Sequence, residues 1–471
     1  MSRRKKNFVL EKITIHDAGA KGVGVGKAPD GKVVFVDKVV PGDVCDVFVY
    51  KNKGGYYHGS PRAFHQFSDR RTEPVCEHFG VCGGCKWQHM DYQSQLFFKQ
   101  KEVYQNLRRI GKLDLPNETP ILGCAQPYFY RNKMEFAFSD SRWITDEERD
   151  AKGLIEDRNA LGFHIPGRWD KVLDVQKCHL QPDPSNAIRN AVKKFATAHQ
   201  MAFFNPKSQE GFLRTLMVRT TTTGQVMVVV QFFKEDENQR KKLLDFIGET
   251  FPEVTSLQYI INHKPNDSIY DQEVICYQGK AYVEEQMEDL IFPIHPKSFY
   301  QTNPLQAYEL YKIVRAFAGL SGNEVVYDLY TGIGTIAQFV AKNAKKVVGI
   351  ESVPEAIADA KRSAEKNGLQ NLSFFAGDIK VLLNNDFINT HGHPDVVITD
   401  PPRDGMHPDV VAQLLRMAPE KIVYVSCNSA TQARDLALMK EQYKIVKVQA
   451  VDMFPQTFHV ENVVLLEKIK A

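Results

Sequence analysis

The feature that most constrains this 471-residue chain is a change of pattern near residue 300. Beyond it, short apolar runs at 324–329, 346–350, 372–375, 395–399 and 421–426 alternate with helical stretches such as 354–367 and 408–417. Runs of that length read as strands, and strands that alternate with helices pair in parallel because the crossover needs the helix. The segment therefore reads as a doubly wound α/β sheet. Two late runs, 444–451 and 462–468, extend it. In such a sheet the ligand sits at the carboxyl ends of the strands. The residues that end each run are where chemistry is to be sought.

The first run ends in Asp328-Leu-Tyr-Thr-Gly-Ile-Gly334, and a helix follows at 335–342. Glycines there let the backbone approach a ligand closely. The second run ends in Gly349-Ile-Glu351, where a carboxylate can accept hydrogen bonds from ribose hydroxyls. Asp378 follows the third run, and the fourth ends in Asp400-Pro-Pro-Arg403. A dinucleotide site is the competing reading. The spacing differs from G-x-G-x-x-G, and an acid ahead of the glycines repels a pyrophosphate. It suits the cationic end of S-adenosylmethionine.

Cys427 ends the fifth run, directly before a helix, whose N-terminus lowers a thiol pKa. Glu461 lies in the loop entering the last strand. Each has a plainer reading: a small buried apolar residue, and a solvated loop carboxylate. Together they match one chemistry. Carbon 5 of uracil is a poor nucleophile until a thiolate adds to carbon 6, and a base must later remove the carbon 5 proton.

Five elements occur in order: Ser298-Phe-Tyr-Gln-Thr-Asn303, Asp328 to Gly334, Asp400-Pro-Pro-Arg403, Ser426-Cys-Asn428 and His459-Val-Glu461. They closely resemble the RNA uracil-5-methyltransferase family, most strongly over 300–471. The resemblance implies a class I, Rossmann-like methyltransferase sheet that uses S-adenosylmethionine. It places Tyr330 and Gly332 at the amino-acid end of the cofactor, Glu351 at its ribose and Asp378 near its adenine. Gln301 contacts cofactor or substrate, and Asp400 lies between methyl donor and uracil. Cys427 is the nucleophile and Glu461 the base, while Arg403 contacts the base or the RNA backbone. DNA cytosine-5 enzymes carry their cysteine after the fourth strand, where this chain has Asp-Pro-Pro-Arg. Amino-group enzymes carry an aromatic residue where Arg403 stands.

The chain has eight cysteines. Cys76, Cys82 and Cys85 form a tight glycine-rich set, and Cys178 is the fourth thiol, roughly ninety residues on. Four thiolates fit structural zinc or a [4Fe–4S] cluster. Zinc sites usually pair two short knuckles, so three clustered ligands and one distant one favour the cluster. Iron–sulfur members of the family carry the same pattern. Methyl transfer needs no electron transfer, so the cluster is expected to be structural or to dock RNA. Cys45, Cys124 and Cys276 are assigned to packing.

Residues 7–62 read as a small barrel of short strands, such as 33–36 and 44–50, punctuated by glycines. Lys51, Lys53, Tyr56, Tyr57 and His58 mix cations with aromatic rings, which suits phosphates and bases. The pattern resembles the TRAM domain, an OB-like RNA-binding barrel. The first hundred residues hold sixteen Lys and Arg against ten Asp and Glu, an excess of six against +3 for the whole chain. The basic stretch Met1 to Lys6 contributes to it. A basic module beside a near-neutral body suits a polyanion.

The expected organisation is a TRAM-like barrel at 1–62, a mixed α+β central domain with the cluster at 63–299, and the methyltransferase domain at 300–471. The first two would bind RNA. A helix is expected at 92–110 and a hairpin around Thr223-Gly224. There is no apolar run of membrane-spanning length and no secretion signal, so a monomeric cytoplasmic enzyme is expected. The iron–sulfur and TRAM-like modules accompany ribosomal members of the family, which makes 23S rRNA the preferred substrate and tRNA the alternative. A catalytically silent RNA-binding protein is the alternative of a different class. Intact Cys427, Glu461 and Gly332-x-Gly334 argue against it.

Overall fold

The structure is a computed structural model that describes residues 8–151 and 157–470. The basic stretch Met1 to Lys6 lies outside them. Five strands, β1 (Phe8–Ala18), β2 (Gly24–Lys27), β3 (Val33–Val36), β4 (Val44–Lys53) and β5 (Tyr56–Gln66), close a barrel in the order β1-β2-β3-β5-β4. Alternate residues turn inward, and Ile13, Ile15, Val34, Val36, Val47 and Val49 form its core. At Gly59 a Cβ would lie 2.4 Å from Val47 and 2.7 Å from the Phe48 carbonyl, so only glycine lets the two strands bend together there. Strand β5 continues to Gln66, four residues past the expected boundary, because Gln66 still pairs with Val44.

Helix α1 (Tyr92–Arg109) is capped by Asp91, which accepts from the Ser94 amide at 2.8 Å, and ends in Arg108 and Arg109. Its face of Val103, Tyr104 and Leu107 does not join the central sheet. It packs into one side of the C-terminal domain.

The central sheet comprises β6 (Lys133–Ser139), β7 (Ala160–Ile165), β8 (Arg168–Asp174), β9 (Leu213–Thr220), β10 (Val226–Phe232), β11 (Val254–Ile261) and β12 (Ile275–Gly279), in the order β12-β11-β10-β9-β6-β7-β8. The short helix α2 (Asp146–Asp150) precedes β7. Helices α3 (Ser185–Ala198) and α4 (Glu237–Thr250) cover one face. The expected hairpin is β9–β10, turning at Thr221 to Gly224. A second hairpin, β13 (Val283–Met287) and β14 (Leu290–Ile294), buries Val283, Phe292 and Ile294 against the C-terminal domain.

That domain begins with α5 (Pro304–Ala318). It continues through β15 (Val325–Leu329), α6 (Thr335–Ala341), β16 (Lys346–Glu351), α7 (Pro354–Lys366), β17 (Leu372–Ala376), α8 (Ile379–Leu382) and α9 (Asn385–His391). Then come β18 (Val396–Thr399), α10 (Pro408–Met417), β19 (Lys421–Ser426), α11 (Ser429–Met439), β20 (Tyr443–Val451) and β21 (Glu461–Lys468). The strand order is β17-β16-β15-β18-β19-β21-β20. Strands β15 to β19 pair in parallel, and β21 inserts antiparallel between β19 and β20. One sheet face packs on α5, α6 and α7, the other on α1, α10 and α11. The sheet is thus α/β and doubly wound, with its crevice where the order reverses at β15 and β18. Among the described residues, no helix is long and apolar enough to cross a membrane.

Candidate active site

The loop after β15 builds the candidate cofactor cleft. Asp328 is buried, and one of its oxygens accepts from the Thr331 hydroxyl and, at 3.1 Å, from the Ala337 amide. The carboxylate therefore ties the glycine loop to the first turn of α6. Its other oxygen, Oδ1, is buried without a partner. Gly332 has φ +56° and donates its amide to Glu351 Oε2 at 3.2 Å, and a Cβ on it would meet nothing within 4 Å. It faces open space, which suits a ligand's close approach. Tyr330 has φ +63° and its ring is half-buried beside Glu351 and Asp378. Asp378 is exposed, capping α8 through the Lys380 amide. Gln301 lies beside the Tyr311 hydroxyl, which is 3.4 Å from Thr335 Oγ1. Its neighbour Asn303 caps α5 and donates to the Met453 carbonyl at 3.0 Å.

The antiparallel insertion of β21 brings the candidate catalytic residues together. Ser426 of β19 stands opposite Asn462 of β21, so Cys427 and Glu461 leave facing strand ends on one rim. The Asp400 to Arg403 loop closes over them. Asn428 Nδ2 and Thr431 Oγ1 each donate to the Arg403 carbonyl at 3.0 Å. Burial pushes Asp400 up to about 7. Burial, aided by the charge of Asp400, pushes Asp328 up to about 7 against its hydrogen bonds from Thr331 and Ala337. Glu461 is held well above the usual carboxylate range by burial and by Asp400, with Arg403 opposing. Converging carboxyls without enough countercharge, and one orphaned oxygen, fit a cationic ligand such as a sulfonium with its ammonium group.

Cys427 corrects an expectation. The helix N-terminus was to lower its pKa, but burial pushes the thiol up to about 11, with Glu461 and Asp400 adding and Arg403 opposing. Cys427 lies outside α11, one residue before its cap Asn428. The weak field of the helix end is overridden by desolvation and two carboxyls. In the free enzyme this cysteine is a neutral thiol.

The barrel reaches this rim. A cavity of about 790 Å³ is lined by Cys427, Arg403 and His459 on one side and by Tyr50, Lys51 and His58 of the barrel on the other, with Lys86 between. His459 is pushed down to about 4 by burial and by Arg403, Lys99 and Arg131, so its ring is neutral. Lys86 was not expected here, nor was the charge of Arg131 near His459. Nor was Phe299, whose exposed ring stands between the buried Ser298 and Tyr300 in the loop leading to Gln301, where it lines a separate cavity. A single cation or aromatic ring carries no periodic signal. Only Phe299 had one, its place in the Ser298 to Asn303 element.

Cys76, Cys82, Cys85 and Cys178 line one cavity of about 420 Å³. Gly83, with φ +75°, packs so tightly on Pro166 that a Cβ would lie 2.1 Å from it. Burial raises the thiols of Cys76, Cys82 and Cys85, and the other cysteines add to it. The donor set is thus four thiols that would share a positive group. Among the described residues, no three His, Cys, Asp or Glu side chains converge tightly enough to hold a single metal ion. Cys45 and Cys124 are buried and Cys276 is exposed.

A family model described as tRNA (uracil-5-)-methyltransferase matches residues 217–469. The chain belongs to this family. It is an S-adenosylmethionine-dependent RNA uracil-5-methyltransferase by membership. An uncharacterized RNA methyltransferase of Bacteroides thetaiotaomicron is 55% identical over 95% of this chain and 99% of its own length. One of Porphyromonas gingivalis is 52% identical over 96% of this chain and 99% of its own. The crystal structure of the Pyrococcus abyssi tRNA (uracil-54, C5)-methyltransferase with S-adenosyl-L-homocysteine shares 28% identity and a TM-score of 0.74. That match covers 98% of this chain and all of that one. The structural likeness thus spans nearly the whole chain rather than residues 217–469 alone.

Proposed function

We propose that the protein methylates carbon 5 of a uridine in structured RNA through a covalent adduct on Cys427. The observation that carries this reading is the pair Cys427 and Glu461 at facing strand ends beside Asp400, on a rim the barrel also lines. S-adenosylmethionine, when bound, supplies the electrophilic methyl group. The target base leaves its stack to enter the cavity. The Cys427 sulfur adds to carbon 6 after its thiol proton passes to the Asp400 carboxylate, which is close enough to raise the thiol's pKa, so that Glu461 stays ionised for the later step. Carbon 5 of the resulting enolate takes the methyl group. Glu461 removes the carbon 5 proton, and the sulfur then leaves carbon 6, restoring the double bond. Gln301, Tyr330, Gly332, Glu351 and Asp378 border the cofactor in this reading, and the cation–aromatic wall from the barrel tracks the RNA.

Glu461→Gln is expected to accumulate a protein–RNA adduct stable to denaturing electrophoresis, and Cys427→Ala to form none. An adduct retained by Cys427→Ala removes that residue from its role. We take 23S rRNA as the preferred substrate, with tRNA as a second reading favoured by the Pyrococcus abyssi enzyme. Labelled methyl incorporation into separated rRNA and tRNA from a strain lacking the gene decides between them. The four cysteines are proposed to hold a [4Fe–4S] cluster, supported by four thiols around one cavity. No catalytic step is assigned to it. Anaerobically purified protein should contain about four iron and four sulfide per chain, and stoichiometric zinc would overturn the assignment.

A further inference from the structure

The segment between β20 and β21 is unusual for a loop. Residues 452–460 have no regular structure, yet most are buried, and Gln456 is held at φ +67°. Buried irregular backbone must find partners elsewhere. Here four consecutive carbonyls find them outside the loop. Met453 accepts from Asn303 Nδ2 at 3.0 Å, Phe454 from Lys99 Nζ at 3.1 Å and Pro455 from the Tyr130 hydroxyl at 2.9 Å. Gln456 accepts from the amides of Lys86 and Trp87, at 2.9 and 3.0 Å. Lys86 and Trp87 directly follow Cys85, so the cysteine-rich loop itself holds this segment.

Helix α1 supplies the firmest grip. Lys99 and Asp452, both fully buried, pair at 2.6 Å, and the Tyr92 hydroxyl donates to the other Asp452 oxygen at 2.9 Å. One turn away, Gln95 and Gln456 exchange two bonds of 3.0 Å. A buried ion pair is a poor source of net stability but a strong constraint on geometry. The segment it constrains ends at Glu461.

We propose that Lys99, Tyr92 and Gln95 form a clamp that positions Glu461 for removal of the carbon 5 proton. These are positioning residues that touch neither RNA nor cofactor in this role. The inference rests on the assignment of Glu461 as base. A misplaced base slows the step it performs and leaves the earlier ones alone. Loosening the clamp should therefore slow breakdown of the adduct and spare its formation.

The test measures both rates in single turnover with the full-length protein and total RNA from a strain lacking the gene. Lys99→Met is expected to slow adduct breakdown about tenfold, with formation within twofold of the parent and KM unchanged. Tyr92→Phe, which removes one hydroxyl, should act in the same direction and more weakly. It carries the test if Lys99→Met does not fold. Hydrogen exchange at the amides of 453–461 should rise in both. A folded variant that slows formation and breakdown equally, or neither, overturns the clamp. Glu461→Gln runs in parallel. If it traps adduct while the clamp variants do not, only the clamp falls. If it does not trap adduct, the base assignment falls and the clamp with it.

Discussion

Alkylation of Cys427 tests the electrostatics of the site without any RNA. Its thiol is pushed up to about 11 by burial, Glu461 and Asp400. The thiolate is the reacting form, so roughly one molecule in ten thousand is reactive at pH 7. Against an ordinary cysteine near 8.5, the difference corresponds to a rate roughly 300-fold lower at neutral pH. Iodoacetamide labelling, followed by mass spectrometry of the Cys427 peptide, should rise about tenfold per pH unit up to pH 10. The exposed Cys276 of the same molecule serves as internal reference. Glu461→Gln removes a neighbouring negative charge, which makes the thiolate less costly and moves the profile to lower pH. Arg403→Met removes an opposing positive charge and moves it higher. A plateau below pH 9 in the parent enzyme would refute the reasoning. It would mean that the α11 N-terminus outweighs burial and that the nucleophile is ready before the RNA arrives.

Two further predictions concern the cofactor cleft. Asp328 and Asp400 both sit at about 7 and ionise as the pH rises through neutrality. S-adenosylmethionine carries a sulfonium charge that S-adenosylhomocysteine lacks. Calorimetry should therefore show the first gaining on the second between pH 6 and 8, by up to about tenfold, with Asp400→Asn flattening the trend. A pH-independent ratio counts against these carboxyls as the sulfonium's surroundings. The glycines separate binding from folding. Gly332→Ala adds a Cβ into open space, so it should weaken cofactor binding while costing only about 1–2 kcal/mol of left-handed strain. Gly334→Ala, at φ +78°, sets a Cβ 2.8 Å from the Phe374 ring, and should cost about 2–4 kcal/mol in thermal unfolding. Equal losses in the two variants would contradict this division.

What was legible in the sequence is what local pattern encodes. Apolar runs and their spacing located β15 to β21 to within a residue or two, and placed Asp328, Gly332, Glu351 and Cys427 at strand ends. Each strand carries its own periodicity, so such assignments need no knowledge of distant segments. The order of the motifs was enough to indicate the family, which the matching family model bears out. The closed barrel was also visible, as short strands broken by glycines such as Gly31 and Gly42, whereas the close approach at Gly59 inside β5 emerged only from the packing.

Tertiary structure decided the rest. Glu461 stands beside Cys427 because β21 inserts antiparallel next to β19, which turns the start of one strand toward the end of the other. Helix α1 was placed with the central domain by its position in the chain, yet packs on the C-terminal sheet through Val103 and Leu107. The state of Cys427 went furthest from expectation, since a pKa is summed over every charge and all the burial around a group. Those contributions come from residues 400, 403 and 461. A sequence states which residues exist and how they repeat, while the field at one sulfur depends on which of them meet.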